Sequence, residues 1–487
     1  MTKSYRKPAL WEALVPILFL VVALFINVRI FGDASLDGSN QIILILSAAV
    51  ATLIAFRLGY GWMEIRRGIT KTIASAIPSI IILLLIGSLA GTWLISGIVP
   101  AMIYYGLQIL NPTIFLVAAC IVCAIVSIAT GSSWTTAATV GIALVGIGKA
   151  LGLAEGMVAG AIISGSYFGD KMSPLSDTTN LAPAMAGTDL FTHIRYMAYT
   201  TVPSISIALV LFLILGFTNG EVTQTVDTQT ILDAISSNFT INGWLFIVPL
   251  VVIGLIVKKV NAIPSILIGT LLGAIFALIF QPDVIRSVAG WSTGGWEEVY
   301  VGVMKAMYGD IAIVTGNEVV DDLLSSGGMY GMLGTVWLIV SAMIFGGVME
   351  SSGLLKRIAQ AVVSTVNSTG ALISSTVGTC VFFNITASDQ YLAIVVPGRM
   401  YADIYKDQGL APENLSRTLE DSGTVTSVLV PWNTCGAYHA NVLGVATFTY
   451  LPFAFFNLIS PLMTMAFAIL KIKIRKLDKE PIKETSV

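Results

Sequence analysis

The chain has 487 residues, 55% of them hydrophobic and only 11% charged, whereas a soluble domain carries charge on about 25% of its residues; the sequence is that of a polytopic membrane protein. A net charge of -2 leaves no basic footprint for nucleic acid. The four cysteines, Cys120, Cys123, Cys380 and Cys435, all lie in apolar stretches, so Cys120-x-x-Cys123 reads as helix packing rather than a redox pair.

In chain order, Lys3, Arg6 and Lys7 precede an apolar run from Trp11 to Ile30. That run is long enough to cross about 30 Å of hydrocarbon. No small-residue cleavage site follows, so it is expected to be an uncleaved first span. With it, ten spans are predicted, over 10–31, 41–57, 73–95, 156–181, 196–217, 243–258, 262–281, 333–350, 416–440 and 451–471. Two shorter apolar pairs, 113–129 with 133–150 and 370–383 with 387–403, are joined by polar tips. They are expected to be re-entrant hairpins, whose irregular backbone is tolerated only where protein covers it.

The Lys/Arg-rich flanks, among them Arg57/Arg66/Arg67/Lys71, Lys258/Lys259, Lys356/Arg357, Arg399/Lys406 and Lys471–Lys476, predict one cytoplasmic face. The acidic linkers at 32–40 and 218–241 are then outside, and both termini inside. Lys149, Arg399 and Lys406 read as interfacial anchors. His193, next to Arg195 at a span end, is expected at the surface.

The two halves match weakly but collinearly. Trp11-x3-Val15-Pro16 matches Trp244-x3-Val248-Pro249. At an offset of 256, Gly91, Ser96, Gly97, Asn111, Thr130 and Ser132 meet Gly347, Ser352, Gly353, Asn367, Thr386 and Ser388. Ser164-Gly165 meets Ser422-Gly423, and Pro174 meets Pro431. Five crossings per half is an odd number, so the second copy must be inverted, a recurrent plan of secondary transporters. The expected organisation is a first repeat over 1–217, a linker at 218–241, a second repeat over 242–471 and a cytoplasmic tail over 472–487. The second repeat carries an insertion at 309–331 with Asp310, Glu318, Asp321 and Asp322. The fold class is all-α: two inverted repeats, about ten spans and two hairpins.

Polar residues concentrate in four places. The first hairpin tip is Thr130-Gly-Ser-Ser-Trp-Thr-Thr136, and its mate is Asn384-Ile-Thr-Ala-Ser-Asp-Gln390. The first broken helix carries Gly165-Ser-Tyr-Phe-Gly-Asp-Lys-Met-Ser-Pro-Leu-Ser-Asp-Thr-Thr-Asn180, and its mate carries Glu420-Asp-Ser-Gly-Thr-Val-Thr426 followed by Pro431-Trp-Asn433. Carboxylates within a span are costly and mark ion or proton pathways. Hydroxyls, amides and freed carbonyls are hard donors that suit Na+ rather than a thiophilic transition metal. Asp170 and Asp389 are the expected sites of Na+/H+ competition, with Asp177 assisting, because burying a carboxyl favours its protonated form. Ser132, Ser133, Thr386, Ser388, Ser422 and Thr424 complete the coordination; Asn180, Asn384, Glu420, Asp421, Asn433 and Lys171 are secondary candidates. Lys171 is read either as neutralising Asp170 or as a partner for a substrate carboxylate. No nucleophile–histidine pair or His-Glu-x-x-His pattern points to an enzyme, and paired hairpins argue against a passive channel.

These motifs, above all Gly165–Thr178, Glu420–Thr424 and Pro431–Thr434, resemble the NhaC family of Na+/H+ antiporters within the ion-transporter superfamily. The resemblance covers essentially the whole chain. It implies a scaffold, a moving transport domain that holds both hairpins and both broken helices, an elevator motion, and Na+ and H+ as the transported ions without other cofactors. It also implies a multi-pass protein of the cytoplasmic membrane. Malate/lactate antiporter-like members keep open an exchanger of a small carboxylate or amino acid, and a homodimeric assembly is left open as well.

Overall fold

The computed structural model describes residues 5–31, 35, 38–219, 228–290, 295–315, 318–363 and 368–477. Parts of the expected linkers and of the insertion, and the tail beyond Leu477, lie outside them. The chain is almost entirely helical. It opens with α1 (Leu10–Phe31), α2 (Ser39–Arg57), α3 (Trp62–Ile95) and the short apolar α4 (Ile98–Ile109). The first hairpin follows: α5 (Pro112–Thr130), then α6 (Ser133–Thr136), which passes through a π turn at Ala137–Gly141 into α7 (Ile142–Ala150). The first broken helix is α8 (Glu155–Met172) with α9 (Asp177–Ala186), and α10 (Leu190–Asn219) ends the first half.

The second half begins with α11 (Thr228–Asn238), α12 (Ile247–Val257), α13 (Ala262–Phe280), α14 (Pro282–Ala289) and α15 (Trp296–Tyr308). In the insertion, β1 (Ile311–Ala312) pairs antiparallel with β2 (Ser325–Ser326) around α16 (Glu318–Leu323). Then come α17 (Gly328–Gly331), α18 (Leu333–Ser351) and α19 (Leu354–Val363), followed by the second hairpin, α20 (Thr369–Thr386) and α21 (Gln390–Asp407). The second broken helix is α22 (Pro412–Leu419), a π turn at Glu420–Thr424 and α23 (Thr434–Leu443), with α24 (Thr447–Tyr450) and α25 (Phe455–Ile469) closing the chain.

Among the described residues, eight helices are long and apolar enough to cross a membrane, and two bent pairs, α11–α12 and α24–α25, bring the number to ten. The membership of that set differs from the sequence expectation. The hairpin limbs α5 and α20, with 19 and 18 residues, reach span length, whereas the broken helices are split into pieces of 8 to 18 residues. Helix α3 starts at Trp62 rather than residue 73, because Glu64 accepts from Gly61 N at 2.5 Å and caps a polar first turn ahead of the apolar stretch. The short helices α4, α14, α15 and α19 were not anticipated.

The helices fall into two groups, which meet where α3 and α18 touch α23, α12 touches α5 and α19 touches α20. In one, α3 lies against α13, α15, α17 and α18, with α1 and α2 alongside. In the other, α5 runs along α8, flanked by α10 and α25, and the α20–α21 hairpin packs on α9, α22 and α25. Glycine allows backbone to meet backbone within each group. A Cβ on Gly91 of α3 would stand 1.8 Å from the Ala306 carbonyl of α15, and one on Gly165 of α8 would stand 2.1 Å from the Cys120 carbonyl of α5. Any side chain at either position would force the helices apart. The exterior is apolar, with Leu18, Phe25, Leu53, Phe217, Leu250 and Ile279 all exposed, while aspartates, asparagines and hydroxyls lie inside. That inversion fits a lipid surround.

Candidate functional site

The first hairpin turns sharply because Gly131 adopts φ 71° at the end of α5. A Cβ there would press on the Leu175 backbone at 2.7 Å, so the tip lies directly against the break between α8 and α9. Ser132 caps α6, its Oγ accepting from Thr135 N at 3.1 Å. Ser133 faces the other way: its N–H and Oγ–H donate to Asp170 Oδ2 at 3.1 and 2.7 Å. Asp170 sits in the last turn of α8, which stops at Met172 because Ser173-Pro174 cannot continue it. The freed carbonyls are taken up locally. Thr179 Oγ1 donates to Asp170 O and Lys171 O at 3.2 and 3.0 Å, and Asn180 Nδ2 donates to Pro174 O and Ser176 O.

This break opens onto a cavity of about 710 Å³. Asp170, Ser132, Thr130, Asp177 and Asn180 line it from the first half, and Gln390, Tyr391, Thr434 and Cys435 line it from the second. Asp170 is 6% exposed, and the Ser176 hydroxyl also lies beside its carboxyl. Asp177 and Asn180 are exposed, at the mouth. The charged groups of the lining are Asp170, Asp177 and Lys259. Among the described residues no cation lies within 4.0 Å of either aspartate.

The remaining expected residues are buried but do not line this cavity. Lys171 does not pair with Asp170. Its ammonium meets the Asp421 carboxylate, both groups fully buried, with Ser460 Oγ at 3.1 Å and the Phe456 ring at 5.5 Å. Thr200 and Thr464 donate to the other oxygen of Asp421. Successive residues on a helix point about 100° apart, so Asp170 faces the cavity while Lys171 faces the second broken helix. Glu420 joins the two breaks by accepting from Thr178 at 2.9 Å. Among the described residues, two Lys/Arg side chains are buried, Lys171 and Arg417. Arg417 lies over the Tyr196 ring at 4.6 Å, and neither lines the cavity.

At the second tip, Asp389 is 5% exposed and caps α21, its Oδ1 accepting from Leu392 N at 2.9 Å. Ser388 adopts φ 59°, and its carbonyl accepts from Thr434 N at 3.0 Å. Asn384 donates to Gly423 O and Thr426 Oγ1, and Asn433 donates to Asn384 O at 3.0 Å. Thr386 and Ser422 donate to the carbonyls of Phe382 and Thr418 in their own helices; their oxygens keep lone pairs for a cation. Thr130 Oγ1, Ser388 Oγ, Thr424 Oγ1 and Glu420 Oε2 are buried with no hydrogen-bond partner among the described residues, which is unusual for buried polar atoms.

Sequence reading missed several groups. Gln390 accepts from Ser427 Oγ at 3.0 Å and from Cys435 Sγ at 2.8 Å; its position beside Asp389 at a tip was the available signal. Trp134 stacks on Tyr438 with ring centroids 3.9 Å apart and fixes the first tip to α23. His193 is not at the surface: it is fully buried and meets Ser416 Oγ at 2.8 Å, because α22 packs over its helix. His439 is buried beside Tyr438 and Trp134, its Nδ1 at the Cys435 carbonyl.

A family model described as the Na+/H+ antiporter family matches residues 165–472, a stretch that runs from the second half of α8 through the first helix break, the second hairpin and the whole second broken helix. The chain belongs to the Na+/H+ antiporter family. Among the relatives of this antiporter-family chain is the Na+/H+ antiporter NhaC of Alkalihalophilus pseudofirmus, 37% identical over 465 residues, 96% of this chain and 97% of that protein. The malate-2H+/Na+-lactate antiporter of Bacillus subtilis is 37% identical over 460 residues, 94% of each. The arginine/ornithine antiporter ArcD of Halobacterium salinarum is 34% identical over 487 residues, 99% of this chain and 96% of that protein.

Proposed function

We propose that this chain is a secondary active transporter that exchanges Na+ for H+ across the cytoplasmic membrane by alternating access. One observation carries the reading. Asp170 is a buried carboxyl without a cationic partner among the described residues, fixed by Ser133 at a hairpin tip and facing an open polar cavity. A buried carboxylate without a counter-charge is costly, so it is relieved either by a proton or by a small cation. The two cannot both occupy it, and that exclusion couples their movements. Ser132, Thr130 and the freed backbone at the α8–α9 break supply neutral oxygen ligands. Asp389, with Ser388, Thr386, Thr424 and Ser422, forms the second, deeper place for an ion or proton, and Asp177 gathers cations at the mouth. Nothing in this site calls for a transition metal or another cofactor; Na+ and H+ are the cargo.

The order of elements supports an inverted duplication. In each half a long packed helix (α3, α18) leads to a short one (α4, α19), a hairpin (α5–α7, α20–α21), a broken helix (α8–α9, α22–α23) and a closing helix (α10, α25). The division of the helices into two groups, each packed mainly within itself, supports an elevator in which the hairpin-bearing group moves against the α3–α18 group. With the lysine- and arginine-rich flanks inside, both termini are cytoplasmic and the Lys259 rim of the cavity faces the cytoplasm.

The test is Na+-dependent proton flux in proteoliposomes. Loss of flux in Asp170→Asn supports the assignment, whereas wild-type rates in both Asp170→Asn and Asp389→Asn reject it. A second reading, exchange of a small organic acid or amino acid coupled to the same ions, is favoured by a cavity far larger than Na+ and by the malate/lactate and arginine/ornithine relatives. The Lys171–Asp421 pairing weakens the anionic version, since Lys171 is already engaged. Counterflow of labelled malate, lactate or ornithine separates the readings.

A further inference from the structure

A second cavity, about 720 Å³, lies away from Asp170 where the two helix groups meet. Lys71 of α3 and Glu350 of α18 bound it on one side, α19 covers it, and the α20–α21 hairpin forms the other wall. That wall is apolar, with Leu392, Val395, Val396, Met400 and Ile404 in sequence along one limb. The rim is basic: Lys71, Lys356 and Arg399 stand against the single acid Glu350. Lys71 meets Glu350 at 3.9 Å. Among the described residues Lys356 and Arg399 have no carboxylate within 4.0 Å. Three cations and one acid leave two positive charges over an oily wall.

We infer that this cavity seats an anionic phospholipid, its phosphate held by Lys356, Arg399 and Lys71 and its acyl chain laid along the Val395–Ile404 limb. A free phosphate would use the rim but not the wall. A zwitterionic lipid would use the wall but find the rim overcharged. An anionic lipid matches both, and basic pockets between membrane helices are recognised places for such headgroups. The three cations belong to flanks that the charge distribution assigns to one side of the membrane, so one headgroup layer reaches all of them. The walls come from both helix groups, and the apolar limb begins at Leu392, whose N–H is capped by Asp389. The lipid therefore bridges the two groups and braces the second hairpin.

The experiment measures the melting temperature of the full chain in phosphatidylcholine nanodiscs, with and without phosphatidylglycerol, and counts retained lipids by native mass spectrometry. Phosphatidylglycerol is expected to raise the wild-type melting temperature by about 3 °C or more through mass action. The Lys71→Gln/Lys356→Gln/Arg399→Gln variant should keep less than about a third of that shift. Val396→Trp, which fills the cavity without altering charge, should lose it equally and serves alone if the triple variant does not fold. Glycerol 1-phosphate, the headgroup without chains, should give none. An equal phosphatidylglycerol shift in Val396→Trp, or in the folded triple variant, overturns the proposal; so does a full shift from glycerol 1-phosphate, which would make the rim a soluble-anion site.

Discussion

The two hairpin tips are built alike and use their polar groups in opposite ways. At the first, a serine caps the following helix, and the next serine is left to reach across to the Asp170 carboxyl on another helix. At the second, the capping group is itself the carboxyl of Asp389. An acid at a helix N-terminus is stabilised there by the helix's own N–H groups; an acid at a break, held by Ser133 and Ser176 and open to a cavity, has capacity to spare. The cavity reflects this difference, since Asp170 lines it and Asp389 does not. We therefore propose Asp170 as the principal ion site and Asp389 as the subordinate one.

The largest expected effect comes from the buried Lys171–Asp421 pair. Lys171→Met leaves Asp421 as an unpaired buried charge, and a loss of about 3–5 kcal/mol is expected, seen as a collapse of the melting temperature. Lys171→Met combined with Asp421→Leu should recover most of it. If the single variant is as stable as wild type, Asp421 is not left as an unpaired buried charge. Next comes Asp170→Asn. Loss of a charged ligand is worth about 1.5–3 kcal/mol, so apparent Na+ affinity should fall more than about tenfold, and the stabilisation of the wild type by Na+ over K+ in a melting assay should disappear. Asp389 sharpens the contrast. Asn caps a helix as well as Asp does, so Asp389→Asn should fold normally and cost less flux than Asp170→Asn, while Asp389→Ala should lose about 1 kcal/mol of stability. Equal flux losses in the two asparagine variants would erase the ranking of the sites. The smallest effect belongs to Ser133→Ala, which removes one hydroxyl bond to Asp170 and should weaken apparent Na+ affinity by about 1 kcal/mol, measured as a several-fold rise in half-saturating Na+.

Much of this arrangement could be read from residues close together in the chain. Ser173-Pro174 dictates the end of α8, Gly131-Ser132 dictates a turn and a cap, and a buried aspartate beside them draws attention to the break. Contacts over long separations could not be read. Adjacency in sequence offers Lys171 as a partner for Asp170 or for a substrate carboxylate, yet adjacent helical side chains diverge and its partner, Asp421, lies 250 residues away. His193 looked exposed beside Arg195 because its own helix ends there; the cover comes from α22, more than two hundred residues on. The short helices α15 and α19 give no span-length run because polar and apolar residues mix in them, and the apolar α4 is, at 12 residues, too short for one. Gln390 carries no charge, so in the sequence only its place beside Asp389 points to it; the fold puts it in the cavity wall, bonded to Ser427 and Cys435.

Ser388 holds a left-handed backbone that glycine would adopt freely, at a cost of about 1–2 kcal/mol. The strain persists because the amide of Thr434 grips the Ser388 carbonyl. The corner is therefore riveted to the neighbouring helix and is a poor pivot. Under the proposed elevator, cargo entering from either side waits for the whole hairpin to be carried along, so turnover should track the mobility of entire helices and not the flicker of a loop.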